Sequence, residues 1–316
     1  MNKARDVWVR EVGTRDGLQS IATIFSTATK LEWIGLEAAA GVSEIEVGSF
    51  VPKKLLPQMA DSADVVAGAK KIPNLHVSVL VPNLRGAESA IAAGADQLNY
   101  VLSVSEAHNR ANVRRSVQES IDDFARIIAL RNSRPEYRSV RVAGGLATAF
   151  GCTIAGRVAL SDVLAAARAL IEIGADELAI ADTVGYGNPT QCRQIFREVL
   201  QIAGDIPVAA HFHDTRGLGL ANVDAALDVG VRRFDASLGG LGGCPYAPGA
   251  SGNIVMDDLV FMLEAMGLTT GVDLEALLET RRFMESHLGQ EPTRGAIARA
   301  GFPKDFDIAR SAHVTR

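Results

Sequence analysis

Ala93-Gly94-Ala95-Asp96-Gln97-Leu98-Asn99-Tyr100-Val101-Leu102 closes a helical pattern on a glycine and runs directly into a strand. Ile173-Gly174-Ala175-Asp176-Glu177-Leu178-Ala179-Ile180-Ala181 repeats the arrangement further along the chain. Glycine at such a junction is the residue that tolerates a left-handed helix C-cap. Ala40-Gly41 and Val229-Gly230 carry the same cue. Reading outward from these junctions, short β-branched runs alternate with longer helical patterns from Val7 to about Met266, the signature of βα units around a parallel sheet. Eight strands are predicted, near Val7–Val12, Glu44–Gly48, Leu75–Val81, Gln97–Leu102, Val140–Gly144, Glu177–Ala181, Val208–His213 and Arg233–Ser237. Eight units, with no G-x-G-x-x-G after the first strand, favour an α/β fold closed as a (β/α)8 TIM barrel over an open doubly wound sheet. The reading assigns residues 1–288 to one barrel domain whose last element is an amphipathic helix over about Val272–Leu288. Residues 289–316 form a polar C-terminal extension, read as partly mobile.

The composition agrees with one large soluble domain. The 316 residues are 47% apolar and 22% charged, with a formal net charge of −5. Such a balance offers no basic face for nucleic acid, although a local pocket can still hold a phosphate. No apolar run of about 18 residues is present to span a membrane, and the basic N-terminus is followed by no signal-like apolar region, so the expected location is the cytoplasm. Cys152, Cys192 and Cys244 are too few and too scattered for a disulfide framework, which fits a reducing compartment.

A closed barrel places its active site at the C-terminal ends of the strands. His211 and His213 stand at i and i+2 at the end of the seventh predicted strand, and so project to one face. Two imidazoles there make half of a metal site. Glu11-Val12-Gly13-Thr14-Arg15-Asp16-Gly17-Leu18-Gln19 leaves the first strand with a cation beside a carboxylate. Alone it reads equally well as a turn with a surface ion pair. Next to the histidines, Asp16 becomes the natural carboxylate ligand and Asn253 a source of an amide oxygen, a donor set suited to Mg2+ or Mn2+, with zinc also compatible. Leu238 to Asn253 contains six glycines in sixteen residues, an entropically expensive stretch best understood as a loop that bends or closes over a ligand. Cys244 at its centre is a candidate catalytic thiol, Cys192 reads as a helical core residue, and Cys152 follows the fifth strand in a Gly-Cys loop. Glu46, Asn83 and Asp182 are further polar residues at strand ends, each of which could equally be a cap or a barrel hydrogen bond.

Taken together, Arg15-Asp16-Gly17-Leu18-Gln19, Ser49-Phe50-Val51, Val81-Pro82-Asn83-Leu84, Asp182-Thr183, His211-Phe212-His213-Asp214-Thr215 and the glycine loop from Gly240 to Asn253 resemble the 3-hydroxy-3-methylglutaryl-CoA lyase family. The resemblance implies a TIM barrel in which Asp16, His211, His213 and Asn253 hold a divalent cation. It implies catalytic roles for Arg15, Cys244, His211, Glu46 and Asp182, and acyl-CoA contacts from Arg15, Gln19, Ser49 and Asn83. The implied reaction is metal-assisted retro-Claisen cleavage to acetyl-CoA and acetoacetate by a homo-oligomer, dimer or tetramer, with His211 or Asp182 as base. Two loops depart from the family pattern. Ser20-Ile21-Ala22 stands where members carry Asn-Glu-Lys, and Gly151-Cys152-Thr153-Ile154-Ala155-Gly156 where they carry Gly-Cys-Pro-Tyr-Glu-Gly. A lyase for a related substrate such as citramalyl-CoA, releasing pyruvate, is therefore the near alternative. A Claisen-condensing acyltransferase of the isopropylmalate-synthase kind, and a metal-bound barrel without catalysis, stand further off.

Overall fold

The computed structural model describes residues 4–242, 252–304 and 306. All eight predicted strands are present and close in sequence order into a parallel barrel. They are β1 (Trp8–Glu11), β2 (Glu44–Ser49), β3 (His76–Val81), β4 (Gln97–Ser103), β5 (Arg141–Ala147), β6 (Glu177–Asp182), β7 (Val208–Phe212) and β8 (Arg233–Ala236). The helices are α1 (Thr27–Ala39), α2 (Ser62–Ala69), α3 (Leu84–Ala93), α4 (Glu106–Val113), α5 (Val117–Asn132), α6 (Leu160–Ile173), α7 (Pro189–Ala203), α8 (Gly219–Asp228), α9 (Met256–Ala265), α10 (Leu274–His287) and α11 (Ile297–Ala300). The glycine cue holds: Gly94 and Gly174 cap α3 and α6 at φ of 91° and 111°, and Gly41 and Gly230 are also left-handed. None of the described helices is long and apolar enough to cross a membrane.

Strand register sorts the side chains. Ala181 pairs with His211, His211 with Asp235, and Asp235 with Arg10, so these four share one level and one face, the barrel interior. Alternation then turns Ala143, Gly145 and Ala147 of β5 inward together with Glu177, Ala179 and Ala209. These small residues on one side leave room for long polar ones from the other. Arg10 Nε donates to Asp235 at 2.7 Å and its Nη2 to Glu177 at 2.9 Å, while Arg233 Nη2 reaches Glu44 at 2.7 Å. Apolar residues of the opposite phase, such as Val9, Ile45, Leu178 and Phe212, face the helices and form the main core. Buried ion pairs are poor stabilisers, because desolvating two charges costs about as much as their attraction returns. A charged barrel interior is therefore better understood as support for what stands above it.

Candidate active site and metal centre

β1 ends in a single π-turn over Gly13–Gly17, closed by Asp16 N–H and Gly17 N–H on the carbonyl of Val12 at 2.6 and 3.4 Å. Such turns recur at functional sites because they re-aim side chains. This one buries both Arg15 and Asp16. The Arg15 guanidinium is held between two carboxylates: Nη1 donates to Asp16 Oδ1 at 2.6 Å, and Nε to Glu46 Oε2. Glu46 also accepts from Asn99 at 2.8 Å, and Gln19 donates to Asp16 Oδ1 at 2.8 Å. The pair that reads as surface turn chemistry in isolation is thus an interior network at the barrel mouth.

The seventh strand brings its histidines to the same place. His211 Nε2 and His213 Nε2 lie 3.1 Å apart, and His213 Nε2 is 3.8 Å from Asp16 Oδ2. One ligand atom from each of Asp16, His211 and His213 lies within 4.8 Å of the others. Two imidazole nitrogens this close beside a carboxylate either share one hydrogen in an N–H···N bond or hold a cation between them. Burial, reinforced by the neighbouring His211, pushes the His213 pKa down to about 4, so at neutral pH it presents the unprotonated form that binds metals. Burial works against a protonated His211, but the hydrogen bond and charge of Asp235 outweigh it and raise the pKa. Burial likewise opposes ionisation of Asp16, and Arg15 with the histidines holds its carboxyl below the usual range.

Asn253 completes the cluster, though with the opposite end of its amide from the one a ligand would use. Nδ2 donates to Asp16 Oδ2 at 2.7 Å and to Leu241 O at 3.0 Å, leaving Oδ1 buried without a partner. A half-turn about the last side-chain torsion exchanges the two atoms. Three donors in reach of one point and an orphaned amide oxygen at their edge fit a divalent cation.

Other predicted residues are placed elsewhere. Asp182 pairs in register with Phe212, on the outward phase of the barrel, and its two oxygens accept the N–H groups of Tyr186 and Gly187 at 2.8 and 2.9 Å. Its side chain braces the loop after β6, while its backbone carbonyl accepts the His213 N–H at 3.3 Å. Burial, only partly offset by those N–H groups, raises its pKa to about 6. Asn83 is the N-cap of α3, its Oδ1 accepting Gly86 N–H at 2.9 Å. Ser49 is buried at the end of β2, where Val51 N–H reaches its Oγ at 3.4 Å. Cys152 Sγ accepts N–H groups of Ile154 and Ala155 within the altered β5 loop. Cys192 is buried on α7, and Cys244 lies outside the described residues.

Two supporting groups escape the sequence reading. Asp235 accepts from Arg10 and lies 3.2 Å from His211 Nδ1. It thereby fixes the tautomer that leaves Nε2 free, the usual outer-sphere arrangement of a metal-bound imidazole. The available signal was polar residues two apart within barrel strands: Arg233 with Asp235, Gln97 with Asn99, and Glu44 with Glu46. Glu11, on the outward phase of β1, receives the N–H groups of Gly13 and Leu238, the first residues of both loops. Beside it is the equally buried Glu37, which accepts from Trp33 Nε1 at 2.8 Å. Burial raises the pKa of both carboxyls, that of Glu11 to about 7.

Asp235→Asn is expected to weaken Mn2+ binding by about 10–100-fold, since the imidazole loses the partner that orients it. Isothermal titration measures this, and an unchanged affinity would remove Asp235 from the metal centre.

Comparisons with known proteins agree with this geometry. The family model described as HMGL-like matches residues 7–284. The hydroxymethylglutaryl-CoA lyase YngG of Bacillus subtilis (strain 168) is 39% identical over 286 residues, covering 90% of this chain and 94% of the relative. The mitochondrial hydroxymethylglutaryl-CoA lyase of Homo sapiens is 39% identical over 294 residues, 93% of this chain and 89% of the relative. A solved structure of an HMG-CoA lyase from Acenitobacter baumannii, in complex with coenzyme A and 3-methylmalate, superposes with a TM-score of 0.90 at 40% identity, covering 96% of this chain and 98% of that one. A barrel whose first-strand turn and seventh-strand histidines converge as described, matched to these relatives over nearly its whole length, belongs to the HMGL-like family, among the hydroxymethylglutaryl-CoA lyases.

Proposed function

We propose that this chain cleaves 3-hydroxy-3-methylglutaryl-CoA to acetyl-CoA and acetoacetate, with Asp16, His211, His213 and Asn253 holding Mg2+ or Mn2+. The observation that carries the reading is the convergence of Asp16 and the two histidines beside a buried Arg15 at the barrel mouth, in a chain about 40% identical to lyases of this specificity. The reaction breaks the C2–C3 bond of the acyl chain. The C3 hydroxyl gives its proton to a base, the role proposed for His211, and becomes the ketone of acetoacetate, and the bonding pair passes to C2 as the enolate of acetyl-CoA, which then takes up a proton. A bound divalent cation acidifies the hydroxyl and orients the substrate oxygens.

The chain's own residues have the remaining tasks. Arg15, locked by Asp16 and Glu46, offers a fixed positive charge to the thioester oxygen as the enolate forms, and a preorganised charge needs no reorganisation during the reaction. Glu46 and Asn99 keep the fork aimed, and Gln19 donates to the same Asp16 oxygen that Arg15 holds. Cys244, from the glycine loop, is assigned return of a proton to C2. Arg15→Lys is expected to lower kcat about 100-fold with metal affinity nearly unchanged, because an ammonium cannot make the two-sided contact of a planar guanidinium. Steady-state kinetics with a parallel metal titration check this.

Incubation of the purified protein with Mg2+ or Mn2+ and a panel of 3-hydroxyacyl-CoAs tests the assignment, with acetyl-CoA, acetoacetate and pyruvate measured separately. Acetoacetate from 3-hydroxy-3-methylglutaryl-CoA is the expected product. Pyruvate alone would move the specificity to citramalyl-CoA, whose carboxylate is one methylene closer to the hydroxyl carbon. No acetyl-CoA from either substrate would defeat the lyase reading.

A further inference from the structure

Beyond α10 the chain doubles back along the barrel mouth and is pinned there. Thr293 Oγ1 donates to Glu285 at 2.6 Å, and the N–H groups of Ala296 and Ile297 donate to the Asp258 carboxylate at 2.8 Å. Between these anchors, Arg294 N–H donates to Gly239 O at 2.8 Å, and its Nη2 donates to Gly240 O at 2.5 Å and to Asn253 O at 3.2 Å. One guanidinium thus bridges the two ends of the glycine-rich segment. Those ends touch: a Cβ on Gly252 would stand 2.0 Å from Gly242 O and 2.6 Å from Gly240 O. A Cβ on Gly240, itself at a φ of 68°, would stand 2.9 Å from Arg294 Nη2, so glycine there is what admits the arginine.

Nothing in this contact looks like an ordinary surface ion pair. No carboxylate among the described residues forms a salt bridge with Arg294, whose partners here are backbone carbonyls. A charge carried into a partly buried position, with Asp214 acting on it but no described carboxylate in direct contact, is compensated by hydrogen bonds, and the bridged backbone carbonyls supply them. Asn253 pairs with His213 in an isolated bridge, Asp214 N–H donates to Gly252 O at 2.9 Å, and the fully buried Asn253 amide lies 2.7 Å from Asp16. Wherever the Asn253 backbone is held, its amide is held too.

We infer that Arg294 is a positioning residue for the metal centre: by tying Gly240 to Asn253 it sets the Asn253 amide against Asp16, and it makes the segment after α10 part of the site. The inference rests on the proposed metal-centre reading. It is tested with the full chain by titrating Mn2+ without substrate, following the free Mn2+ signal by electron paramagnetic resonance, for the wild type, Asp16→Ala, Asn253→Ala, Arg294→Gln, Arg294→Lys and the Arg294→Gln/Asn253→Ala double variant. Melting temperatures are recorded alongside. Arg294→Gln is expected to weaken Mn2+ binding about tenfold, as loss of an outer-sphere support does. The double variant should bind no more weakly than Asn253→Ala alone, because both changes act through one amide. Arg294→Lys, which keeps the charge and loses the fork, should also weaken binding and serves if the glutamine variant does not fold.

A folded Arg294 variant with wild-type Mn2+ affinity would overturn the inference, and so would losses that add in the double variant. A lowered melting temperature with unchanged affinity would mark the contact as structural only and overturn it equally. If the wild type shows no Asp16-dependent Mn2+ binding, the metal reading falls first and this inference with it. Asp16-dependent binding with an indifferent Arg294 would sink the inference alone.

Discussion

Asp16→Ala is expected to abolish measurable Mn2+ binding and to lower kcat about 1,000-fold or more. Among the described residues the carboxylate is the one that clusters with both imidazoles, 3.8 Å from His213 Nε2, and it neutralises Arg15 at 2.6 Å. Its loss removes a charged donor and leaves Arg15 next to the intended cation, so the remaining ligands face added repulsion. A metal that acidifies a substrate hydroxyl contributes several kcal/mol to the barrier, and about 4 kcal/mol is about 1,000-fold in rate. The sign of the pH dependence follows from the ligands. His211 has a raised pKa because Asp235 favours its protonated form against burial, and a metal must displace that proton. Mn2+ affinity in the wild type should therefore fall as pH drops through the His211 pKa and be regained above it. Titration calorimetry at several pH values, with single-turnover rates for the variant, checks both statements. An Asp16→Ala protein that binds Mn2+ like the wild type would exclude this cluster as the metal centre.

Cys244→Ala is expected to lower kcat by about 10²–10⁴-fold, the range for removal of a proton-transfer group, with metal affinity and fold unchanged. Its internal control is Cys192→Ala, expected to leave kcat unchanged. Cys192 is buried on α7 among apolar side chains, where desolvation first and the charge of Asp182 second push its thiol pKa far up. Such a thiol neither ionises nor reaches the mouth. Cys152 differs again, with its sulfur accepting two loop N–H groups. Parallel kinetics on the three alanine variants separate the roles, and full activity in Cys244→Ala would take the cysteine out of the mechanism.

Local rules make much of this protein legible without a structure. Glycine C-caps before β-branched runs mark the strand starts at Gln97 and Glu177, because helix termination and strand initiation depend on residues close in the chain. The period of two makes His211 and His213 face the same way whatever surrounds them. Barrel closure then brings β1 beside β8 and β2, so Asp16 could be matched to the histidines from strand order alone. What the period alone does not decide is which phase of a strand faces inward and which face a residue just past its end joins.

Asp182 shows the consequence. It ends β6 as a catalytic acid would, yet it falls on the outward phase and braces the Tyr186–Gly187 backbone. Asn83 reads equally as cap or site residue, and only the path of α3 shows that it caps a helix. Asp235, Arg10 and Asn99 acquire their roles from partners far away in the chain, as in the bond from Arg10 to Asp235 across 225 positions. Arg294 looks like one more charge in a polar tail until folding brings it to the carbonyls of Gly240 and Asn253. Composition, periodicity and capping are local and so were determined by the sequence itself. The pairing of charges within the barrel, and the loop ends that an arginine ties together, depend on distances that exist only once the sheet has closed.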